Sequence, residues 1–465
     1  MPDRAPPPRA DAASPADQER VWPLSSAQHR LWLLHHLLPR QETYNVSMPF
    51  AVEGALDVEV LRASLSELQR RHEPLRTRFR QEPNGDPVQV IAPHDPASIP
   101  LVVHDLREEP AETREERAGH VIADQASTRF DLGCAPLWRV GLLTHADDDH
   151  VLVLTFHHII ADGWSIPILL DELARLYSSL LLRLPSPLPP LPIQYAEHAA
   201  RQRARLAGPM LDQLLEHWRT RLAGAPPELT LRDGRPRPGI ASFGGDSVRF
   251  EIPAAEVALL NRVAHQCRAT VYMALLAAFA VLLHHESGGV TDVVVGTAVA
   301  NRERTEAEHL VGFLANTLAL RMDLSGDPTF AELVARARRT TLDALDHQEL
   351  PFERLVAELR PPRIRGRSPV FQMLITMADL PERYDRPGLR VRALSPVTTR
   401  TAKFDLALMV YRGPERITAS AEYATDLFDR PTIERLVARL LALLATALAD
   451  PETRLSRLRA AGGGE

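Results

Sequence analysis

The chain alternates between segments with apolar residues at helical spacing and short, continuously apolar runs. Residues 56–73, LDVEVLRASLSELQRRHE, place Asp57 as a helix-cap candidate ahead of four apolar residues on one helical face: Val60, Leu61, Leu65 and Leu68. This segment therefore predicts an amphipathic helix. Residues 255–286 predict two more helices, and the run VTDVVVGTAV at 290–299 predicts a buried strand.

One pattern of strands and turns occurs twice along the chain. In the first copy, LWRVGLL and VLVLTFHHII flank the polar turn THADDDH; in the second, FDLALMVY and ITASAEYA flank RGPER. Each copy is followed by a short loop that contains aspartate and by a helical pattern, which predicts strand, hairpin, strand, loop and helix built twice. The second copy has Glu422–Tyr423 where the first has His157–His158. If the histidines are catalytic, the chain therefore has one reaction centre.

The length and the proline distribution indicate two lobes. A chain of 465 residues with 45% hydrophobic residues is too long for one average domain and can build substantial cores. The segment LPSPLPPLP at 184–192 can continue neither a helix nor a central strand, so we expect a linker there between lobes at 21–183 and 193–455. Residues 1–20 are expected to be a disordered leader, and residues 456–465 a flexible tail.

The charge and the two cysteines exclude several classes of protein. A formal net charge of -6, with acidic and basic residues evenly mixed, gives no basic surface for nucleic acid. Cys134 and Cys267 lie far apart, so they form neither a disulfide framework nor a zinc cluster, which fits the cytoplasm. The longest apolar run, 271–283, is shorter than the roughly 20 residues that span a bilayer and predicts a core helix. The N-terminus has no hydrophobic signal region, and no membrane contact is expected.

Adjacent histidines occur three times, at His35–His36, His157–His158 and His284–His285. Two of these pairs lie in apolar helical segments, so a histidine pair alone is uninformative. Only the pair at 157 is followed by Asp-Gly and stands between a strand-like run and a helix for which Ser165 is the cap candidate. Because side chains alternate along a strand, we expect the two rings to point in opposite directions, one into a cleft and one inside.

Each residue of this loop has more than one interpretation. His158 is either a general base or proton-positioning group with a pKa near neutral, or a buried histidine satisfied by hydrogen bonds. His157 is more readily a structural histidine bonded to backbone. Asp162 is a third catalytic residue, a metal ligand or half of a buried ion pair; since no further ligands lie nearby, the ion pair is favoured and no metal is expected. Gly163 most simply supplies a backbone conformation that other residues resist.

The segment FGGDSV at 243–248 is similar to the sequence at which carrier proteins accept phosphopantetheine. A carrier serine opens an amphipathic helix, whereas SVRFEIP alternates like a strand and ends at Pro253. We therefore reject a carrier function for this segment, so that carriers have to come from elsewhere.

Beyond the histidine motif, the chain resembles the condensation domains of non-ribosomal peptide synthetases, which share HHxxxDG with chloramphenicol acetyltransferase. The resemblance covers about residues 20–450 and rests on seven segments in family order: SSAQHRLWLL, RRHEPLRTRF, HHIIADGWS, VANRER, VGFLANTLALR, HQELPFERLV and SPVFQMLI. It implies an α+β fold of two acetyltransferase-like lobes, each with a mixed sheet flanked by helices. The lobes are expected to form a V-shaped pseudo-dimer around a central tunnel.

The activity that the resemblance implies is amide formation in natural-product biosynthesis, including that of antibiotics. An amine, usually of an aminoacyl thioester on an acceptor carrier protein, attacks an acyl or peptidyl thioester on a donor carrier protein. No bound cofactor is expected, because the substrates arrive as phosphopantetheinyl thioesters on the carriers; an adjoining adenylation domain and a monomeric state are also expected. A thioester is already activated, which is consistent with the lack of a G-x-x-x-x-G-K-[ST] loop.

The resemblance also assigns roles to residues of the loop. His158 accepts a hydrogen bond from the attacking amine and takes or relays its proton, while His157 supports the site. Gly163 offers its backbone N–H to the developing oxyanion. Asp162 pairs with an arginine, for which Arg302 in VANRER is the candidate. The tunnel lining is expected to include Trp164, Ser165 and Asn316.

Departures from the family pattern and alternative functions accompany this resemblance. Leu350 in HQELPFE stands where an aromatic residue is frequent, and Leu314–Ala315 in VGFLANT replace Phe-Val. These changes concern substrate specificity and tunnel width more than reaction type. A free-standing member could form an ester or an amide with a soluble acceptor or with acyl-CoA. Non-catalytic recruiting modules share the fold but have a damaged motif, whereas the motif here is intact.

Overall fold

A computed structural model describes residues 18–362, 367–379, 389–413 and 416–458 of the chain. The predicted leader at 1–20 and tail at 456–465 therefore lie largely outside the described residues.

The described residues form strands and helices in nearly every part of the chain. The strands are β1 (Arg20–Pro23), β2 (Asn45–Glu53), β3 (Thr77–Gln81), β4 (Pro87–Ile91), β5 (Leu101–Asp105), β6 (Trp138–Ala146), β7 (Asp149–His157), β8 (Gly245–Ile252), β9 (Asp292–Val299), β10 (Asn316–Asp323), β11 (Met373–Asp379), β12 (Arg390–Ala393), β13 (Leu406–Arg412) and β14 (Ile417–Ala424). The helices are α1 (Ser26–Leu37), α2 (Val58–Arg71), α3 (Ala111–Ser127), α4 (Ser165–Leu181), α5 (Tyr195–Arg205), α6 (Pro209–Leu222), α7 (Ala254–Gln266), α8 (Val271–Glu286), α9 (Phe330–Leu345), α10 (Phe352–Leu359) and α11 (Arg430–Ala449).

Two mixed sheets organise the molecule, and each is built around one of the predicted hairpins. The first sheet has the order β12-β2-β7-β6-β5 and the second the order β10-β9-β11-β13-β14-β8. In each sheet the hairpin (β6–β7 or β13–β14) has a parallel neighbour, β5 or β11, and an antiparallel neighbour, β2 or β8. A helix follows each hairpin, α4 or α11. The predicted repeat and the predicted α+β class are confirmed.

The strand β12 links the two halves of the chain. It belongs to the C-terminal half in sequence, yet it pairs antiparallel with β2, with Val391 opposite Val52, and so completes the first sheet. The proline-rich segment at 184–192 contains neither helix nor strand. The lobe boundary at this segment stays a prediction.

The local predictions rest on patterns that the structure reproduces. Asp57 caps α2 by accepting hydrogen bonds from the N–H groups of Glu59 and Val60, as its position before the apolar stripe predicted. The two helices within 255–286 and the buried strand within 290–299 are present as α7, α8 and β9. Ser247 lies in β8, opposite Glu422 of β14, which confirms the strand that replaced the carrier interpretation.

The apolar run at 271–283 lies inside α8, most of whose residues are buried in the core of the second half. In the described part of the chain, no single helix is long and apolar enough to cross a bilayer. Only α7 and α8 taken together reach that length and composition, and they are bent by 102° relative to each other. The prediction of a core helix is confirmed.

Candidate active site

His157 ends β7 and His158 follows it directly, and the two side chains have different surroundings. His157 is fully buried, with its ring centre 5.5 Å from that of His35. His158 is half-buried; its N–H donates to the carbonyl of Tyr44 at 2.7 Å, and its ring centre lies 4.8 Å from that of Phe313 in the second half of the chain. His157 lies inside the fold, as expected; the position of His158 in a cleft stays a prediction.

The ring of His158 is held in one tautomer. Its Nδ1 lies 2.8 Å from the carbonyl of Ala161, and a carbonyl can only accept, so Nδ1 carries the hydrogen and Nε2 has a free lone pair. Burial, followed by the charge of Lys403, lowers the pKa of His158 to about 4, against the opposing effects of Ala161 and Asp162. The expected pKa near neutral is wrong, because a buried ring beside a cation resists protonation. His158 is therefore a neutral hydrogen-bond acceptor at pH 7.

His157 makes contacts that suit a supporting residue. Its Nδ1 accepts the N–H of Ile159 at 3.1 Å, so the hydrogen of the neutral ring is on Nε2. Nε2 has no hydrogen-bond partner among the described residues. Burial, then His35, His158 and Lys403, hold the pKa of His157 well below its ordinary value. These contacts favour the predicted supporting role.

Asp162 is fully buried and accepts hydrogen bonds on both carboxylate oxygens. Arg302 donates one 2.9 Å hydrogen bond to each oxygen, so the expected ion pair is present. The N–H and hydroxyl of Ser165 donate to Oδ1, and the N–H groups of Leu314 and Ala315 donate to Oδ2 at 3.0 Å. Burial would raise the pKa of Asp162, but Arg302 and Ser165 outweigh it and the pKa is lowered. A carboxylate with its lone pairs occupied in this way has none left for a metal ion.

Ser165 connects the loop to the second half of the chain. It is fully buried, and its hydroxyl oxygen accepts the N–H of Gly312 at 3.2 Å while it donates to Asp162 at 2.8 Å. The predicted cap is wrong: α4 begins at Ser165, the capping position is Trp164, and Trp164 makes no side-chain cap. Instead the carboxylate of Asp162 accepts the N–H of Ser165. These contacts show that Ser165 supports the loop; its predicted position in a tunnel lining stays a prediction.

Gly163 and Trp164 are exposed at the tip of the loop. The φ angle of Gly163 lies outside the left-handed region, and a Cβ added there would meet no heavy atom within 4 Å. The expectation of a backbone conformation that other residues resist is therefore wrong. Among the described residues, no hydrogen bond uses the Gly163 N–H. Trp164 is half exposed, and its indole N–H donates to the carbonyl of Glu308 at 3.1 Å.

Asn316 directs its polar atoms to its own half of the chain. Its amide nitrogen donates to the carbonyls of Gln348 and Leu350 at 2.8 and 2.7 Å, and its Oδ1 accepts the N–H groups of Thr317 and Phe352. Asn316 thus holds the segment before α10 in place. Its predicted position in a tunnel lining stays a prediction.

A cavity of about 710 Å³ lies between β8, the β13–β14 hairpin and residues 392–398. Glu422 is one of its lining residues, and the charge of Glu422 acts on Lys403. Lys403 in turn lowers the pKa of both His157 and His158. Glu422 is therefore a charged group that both lines the cavity and acts on Lys403.

The sequence did not indicate the importance of three residues near the site. Lys403 is the only lysine among the 54 Lys and Arg residues of the chain, a signal that residue counts alone would have given. Glu422 was noted in the repeat but interpreted only as a loss of the histidines. His35 was set aside as part of an uninformative pair, yet its ring lies beside His157.

A second cluster of histidines lies away from this site. The potential ligand atoms of His217, Asp343 and His347 are within 4.8 Å of one another. The two imidazole rings are stacked with centres 3.4 Å apart and an interplanar angle of 4°, so their in-plane lone pairs run parallel and do not converge on one ion. Asp343 also forms an ion pair with Arg221 at 3.0 Å. This arrangement suits a polar contact between α6 and the end of α9.

Comparisons with known proteins agree with the geometry. The chain is 42% identical over 458 residues to phosphinothricin tripeptide synthetase PhsC of Streptomyces viridochromogenes, a match that covers 98% of this chain and 41% of that protein. It is 41% identical over 442 residues to malpinin synthetase of Mortierella alpina, covering 95% of this chain and 6% of that protein. The chain thus spans less than half the length of these relatives.

A solved structure shows the same fold over the whole chain. The complex of the X-domain and OxyB from teicoplanin biosynthesis matches with a TM-score of 0.81 and 29% identity, covering 99% of this chain and 100% of that chain. The family model described as the condensation domain matches residues 18–463. With the histidine motif, the duplicated sheets and this match over nearly its full length, the chain belongs to the condensation domains of non-ribosomal peptide synthetases.

Proposed function

We propose that this chain catalyses amide formation between an amine on an acceptor carrier protein and an acyl or peptidyl thioester on a donor carrier protein. The observation that carries this proposal is the fixed tautomer of His158. Its Nδ1 is committed to the carbonyl of Ala161, which leaves Nε2 as a proton acceptor at the junction of the two halves. Gly163 is exposed, and a Cβ added there would meet no heavy atom within 4 Å, which supports the approach of a thioester from this side of the loop.

The reaction requires that the amine and the thioester are positioned and that one proton is transferred. The nitrogen of a neutral amine attacks the thioester carbonyl, the C–N bond forms, and the carbonyl oxygen becomes negatively charged. His158 accepts the proton that the nitrogen loses, the C–S bond breaks, and the proton passes to the departing thiolate. A histidine with a pKa of about 4 is too weak a base to deprotonate a free ammonium group, but the nitrogen of the tetrahedral intermediate is far more acidic. The amine is therefore expected to bind as the free base.

Gly163 is the proposed donor to the oxyanion. Its N–H is unused among the described hydrogen bonds, and it stands two residues before the start of α4. The N-terminus of a helix carries a partial positive charge that favours a nearby anion. A backbone donor in a fixed position of this kind stabilises the transition state more than the ground state.

The proposal includes the surroundings of the reaction. The donor and acceptor are peptidyl carrier proteins that deliver phosphopantetheinyl thioesters, with an adjoining adenylation domain in the same assembly line. Support comes from the synthetases to which the chain is similar, since it spans only 41% of one and 6% of another. We further propose a monomer that acts in the cytoplasm.

A non-catalytic recruiting module is the second candidate function, since the X-domain that shares the fold was solved in complex with OxyB. The intact loop favours catalysis over recruitment. The buried Asp162–Arg302 pair and the free Nε2 of His158 are both in place.

The test is a reaction with loaded carriers. Candidate donor carriers bearing acyl groups and acceptor carriers bearing aminoacyl groups are incubated with the chain, and the acceptor is weighed by intact-protein mass spectrometry. The proposal predicts that the acyl group moves to the acceptor through a base-stable amide. Parallel reactions with acyl-CoA and with a soluble amine distinguish a general acyltransferase. If no pair of carriers gives transfer while OxyB-type partner enzymes bind the chain, the recruiting function is correct instead.

A further inference from the structure

His157 is enclosed by residues from three other parts of the chain. Its ring centre lies 5.5 Å from that of His35 on α1 and 6.3 Å from that of Phe130. Asn45, the first residue of β2, stands directly opposite His157 in the register of β2 and β7. The side chains of such an opposed pair share one face of the sheet, with Cβ atoms about 4.5–5.5 Å apart. His35, Asn45 and His157 are therefore close neighbours, and we call them the His157 cluster.

Each side chain of the His157 cluster has one polar atom without a hydrogen-bond partner among the described residues. The three atoms are Nε2 of His157, Nδ1 of His35 and Oδ1 of Asn45, and each is shielded from solvent. The residues are more than nine-tenths buried, with exposures of 0%, 6% and 6% in that order. A buried polar atom that gives up its hydrogen bonds to solvent destabilises the fold unless a new partner replaces them. Three such atoms in one cluster therefore indicate a bound polar ligand.

The hydrogen-bonding character of each atom follows from its neighbours. Nδ1 of His157 accepts the N–H of Ile159 at 3.1 Å, so Nε2 of this ring is a donor. The amide nitrogen of Asn45 donates to two backbone carbonyls at 2.8 and 2.9 Å, which identifies its Oδ1 as an acceptor. Burial lowers the pKa of His35, so this ring is neutral at pH 7 and its buried Nδ1 can accept as well. The cluster thus presents one donor and two acceptors.

A single water molecule matches this set of atoms. It accepts one hydrogen bond, from Nε2–H of His157, and donates two, to Oδ1 of Asn45 and to Nδ1 of His35. Buried waters in proteins typically make about three hydrogen bonds to polar groups that are otherwise unsatisfied. A cation does not match, because it would face the Nε2–H of His157. The chemistry of the cluster therefore selects water.

The side chain of His157 shapes the turn that carries His158. Its Nδ1 accepts the N–H of Ile159, so this hydrogen bond closes over the backbone of His158, the residue between them. The bond requires that the hydrogen of the neutral ring is on Nε2. A partner that accepts from Nε2–H stabilises this tautomer. A water at Nε2 therefore acts on the position of His158 through His157 and Ile159.

We propose that His35 and Asn45 hold one buried water against Nε2 of His157 and are thereby positioning residues for His158. The water satisfies the buried Nε2–H, and the ring keeps the orientation in which Nδ1 holds the turn. The catalytic meaning rests on the proposed function, whereas the water and its hydrogen bonds are measurable without substrate.

The first test is a crystal structure of the full chain at a resolution that shows ordered waters. We expect one water in the His157 cluster, about 2.7–3.2 Å from each of the three atoms. His35→Phe removes Nδ1 but keeps an aromatic ring, and is expected to lose this water. His35→Asn presents a polar atom close to the position of Nδ1 and is expected to retain it. A wild-type cluster that holds no water contradicts the proposal.

The second test observes the Nε2–H of His157 by NMR of the full chain with ¹⁵N-labelled histidine, assigned by its loss in His157→Gln. Wild type is expected to show a slowly exchanging downfield signal with a nuclear Overhauser contact to water. His35→Phe is expected to lose the contact and to move the signal upfield, because a hydrogen bond is removed, and His35→Asn is expected to restore both. His36→Phe changes the exposed neighbour of His35 and is the control, with no change expected.

An unchanged Nε2–H signal in His35→Phe overturns the proposal, since the water would then not depend on His35. Asn45→Leu removes the other acceptor and repeats the measurement if His35→Phe does not fold.

The third test separates positioning from folding in the loaded-carrier reaction. If the water keeps His158 in place, His35→Phe is expected to lower kcat roughly tenfold with little change in KM. His35→Asn is expected to recover most of the rate. A folded His35→Phe with the wild-type kcat contradicts the positioning role. If wild type forms no amide while the water and the downfield signal are both found, the proposed function fails and the water site stands.

Discussion

At the scale of single residues, the loop after β7 gives different roles to neighbouring side chains. The Nδ1–H of His158 is used by Ala161, whereas the Nδ1 of His157 accepts the N–H of Ile159. Two identical side chains therefore hold opposite tautomers. The ring of His158 lies beside Phe313 of the second half, which supports the proposed proton transfer by His158 and the proposed supporting role of His157.

Gly163 gives a prediction at this scale. A methyl group in Gly163→Ala meets no heavy atom within 4 Å and no strained φ, so the melting temperature is expected to stay unchanged. If substrate approaches through this space, the added methyl displaces it, and the rate of amide formation is expected to fall roughly 10- to 100-fold. Gly119→Ala, at an equally open and exposed position in α3, is the matched control with normal activity. Full activity of Gly163→Ala would show that substrate does not pass there.

The sequence could predict residue properties that depend on neighbouring positions or on a family motif, but not those that depend on distant residues. The pairing of Asp162 with Arg302 was reached through the family resemblance, and the opposed histidines followed from strand alternation. The low pKa of His158 could not be predicted, because it arises from burial and from Lys403, which is 245 positions away in a chain of 465. The expectation that Gly163 adopts a backbone conformation that other residues resist was wrong, since the local sequence does not fix the φ angle of a loop residue.

At the scale of elements, the loop from His158 to Ser165 is joined by hydrogen bonds to the segment 300–316 of the other half. Arg302 donates to Asp162 and also to the carbonyls of Ala300 and Leu310. Ser165 and Gly312 are joined by a further hydrogen bond. These hydrogen bonds join the loop to the second half and favour a fixed position for His158.

Asp162→Ala tests the contribution of these contacts to stability. It leaves the side chain of Arg302 unpaired at 2% exposure, and breaking a buried pair from one side costs about 3–5 kcal/mol in the free energy of unfolding. We expect a loss of this size together with a loss of activity, measured by denaturant unfolding at pH 7. Asp171→Ala removes one partner of an exposed pair with Arg175 and is the control, with an expected effect below about 1 kcal/mol.

The difference in free energy of unfolding between wild type and Asp162→Ala depends on pH in a way that follows from the sign of the pKa shift of Asp162. The pKa of Asp162 is lowered in the folded chain, so its contribution to stability is present above the unfolded value of 3.8 and is lost as the pH falls through the folded pKa. The difference between wild type and Asp162→Ala is therefore expected to shrink in acid. A stable but slow Asp162→Ala would instead indicate direct catalysis by the carboxylate.

Elements were predicted from the sequence where their signals are local. The helices α2, α7 and α8 and the two hairpins follow from spacing, caps and polar turns within 20 or so residues. Two contacts join residues more than 130 positions apart: the pairing of β12 with β2 and the hydrogen bonds between Arg302 and Asp162. No local pattern encodes such contacts, so they became visible only in the folded chain.

At the scale of the whole molecule, the hairpin and helix are duplicated in two similar halves, and the residues of the proposed reaction centre come from both. The first half supplies His158 and the loop, and the second supplies Arg302, Phe313, Lys403 and Glu422. Neither half contains a complete site. This division agrees with a reaction in which two carriers each bring one substrate to a shared junction.

The most direct test of the proposed role of His158 is the rate of amide formation by His158→Ala in the loaded-carrier reaction. The control is His36→Ala, which removes an exposed histidine of another pair. We predict that His158→Ala is slower than wild type by roughly 100-fold or more, the usual scale of general acid–base catalysis, with an unchanged circular dichroism spectrum. His36→Ala is expected to react at the wild-type rate. Near-normal amide formation by a folded His158→Ala would show that His158 does not accept the proton of the amine.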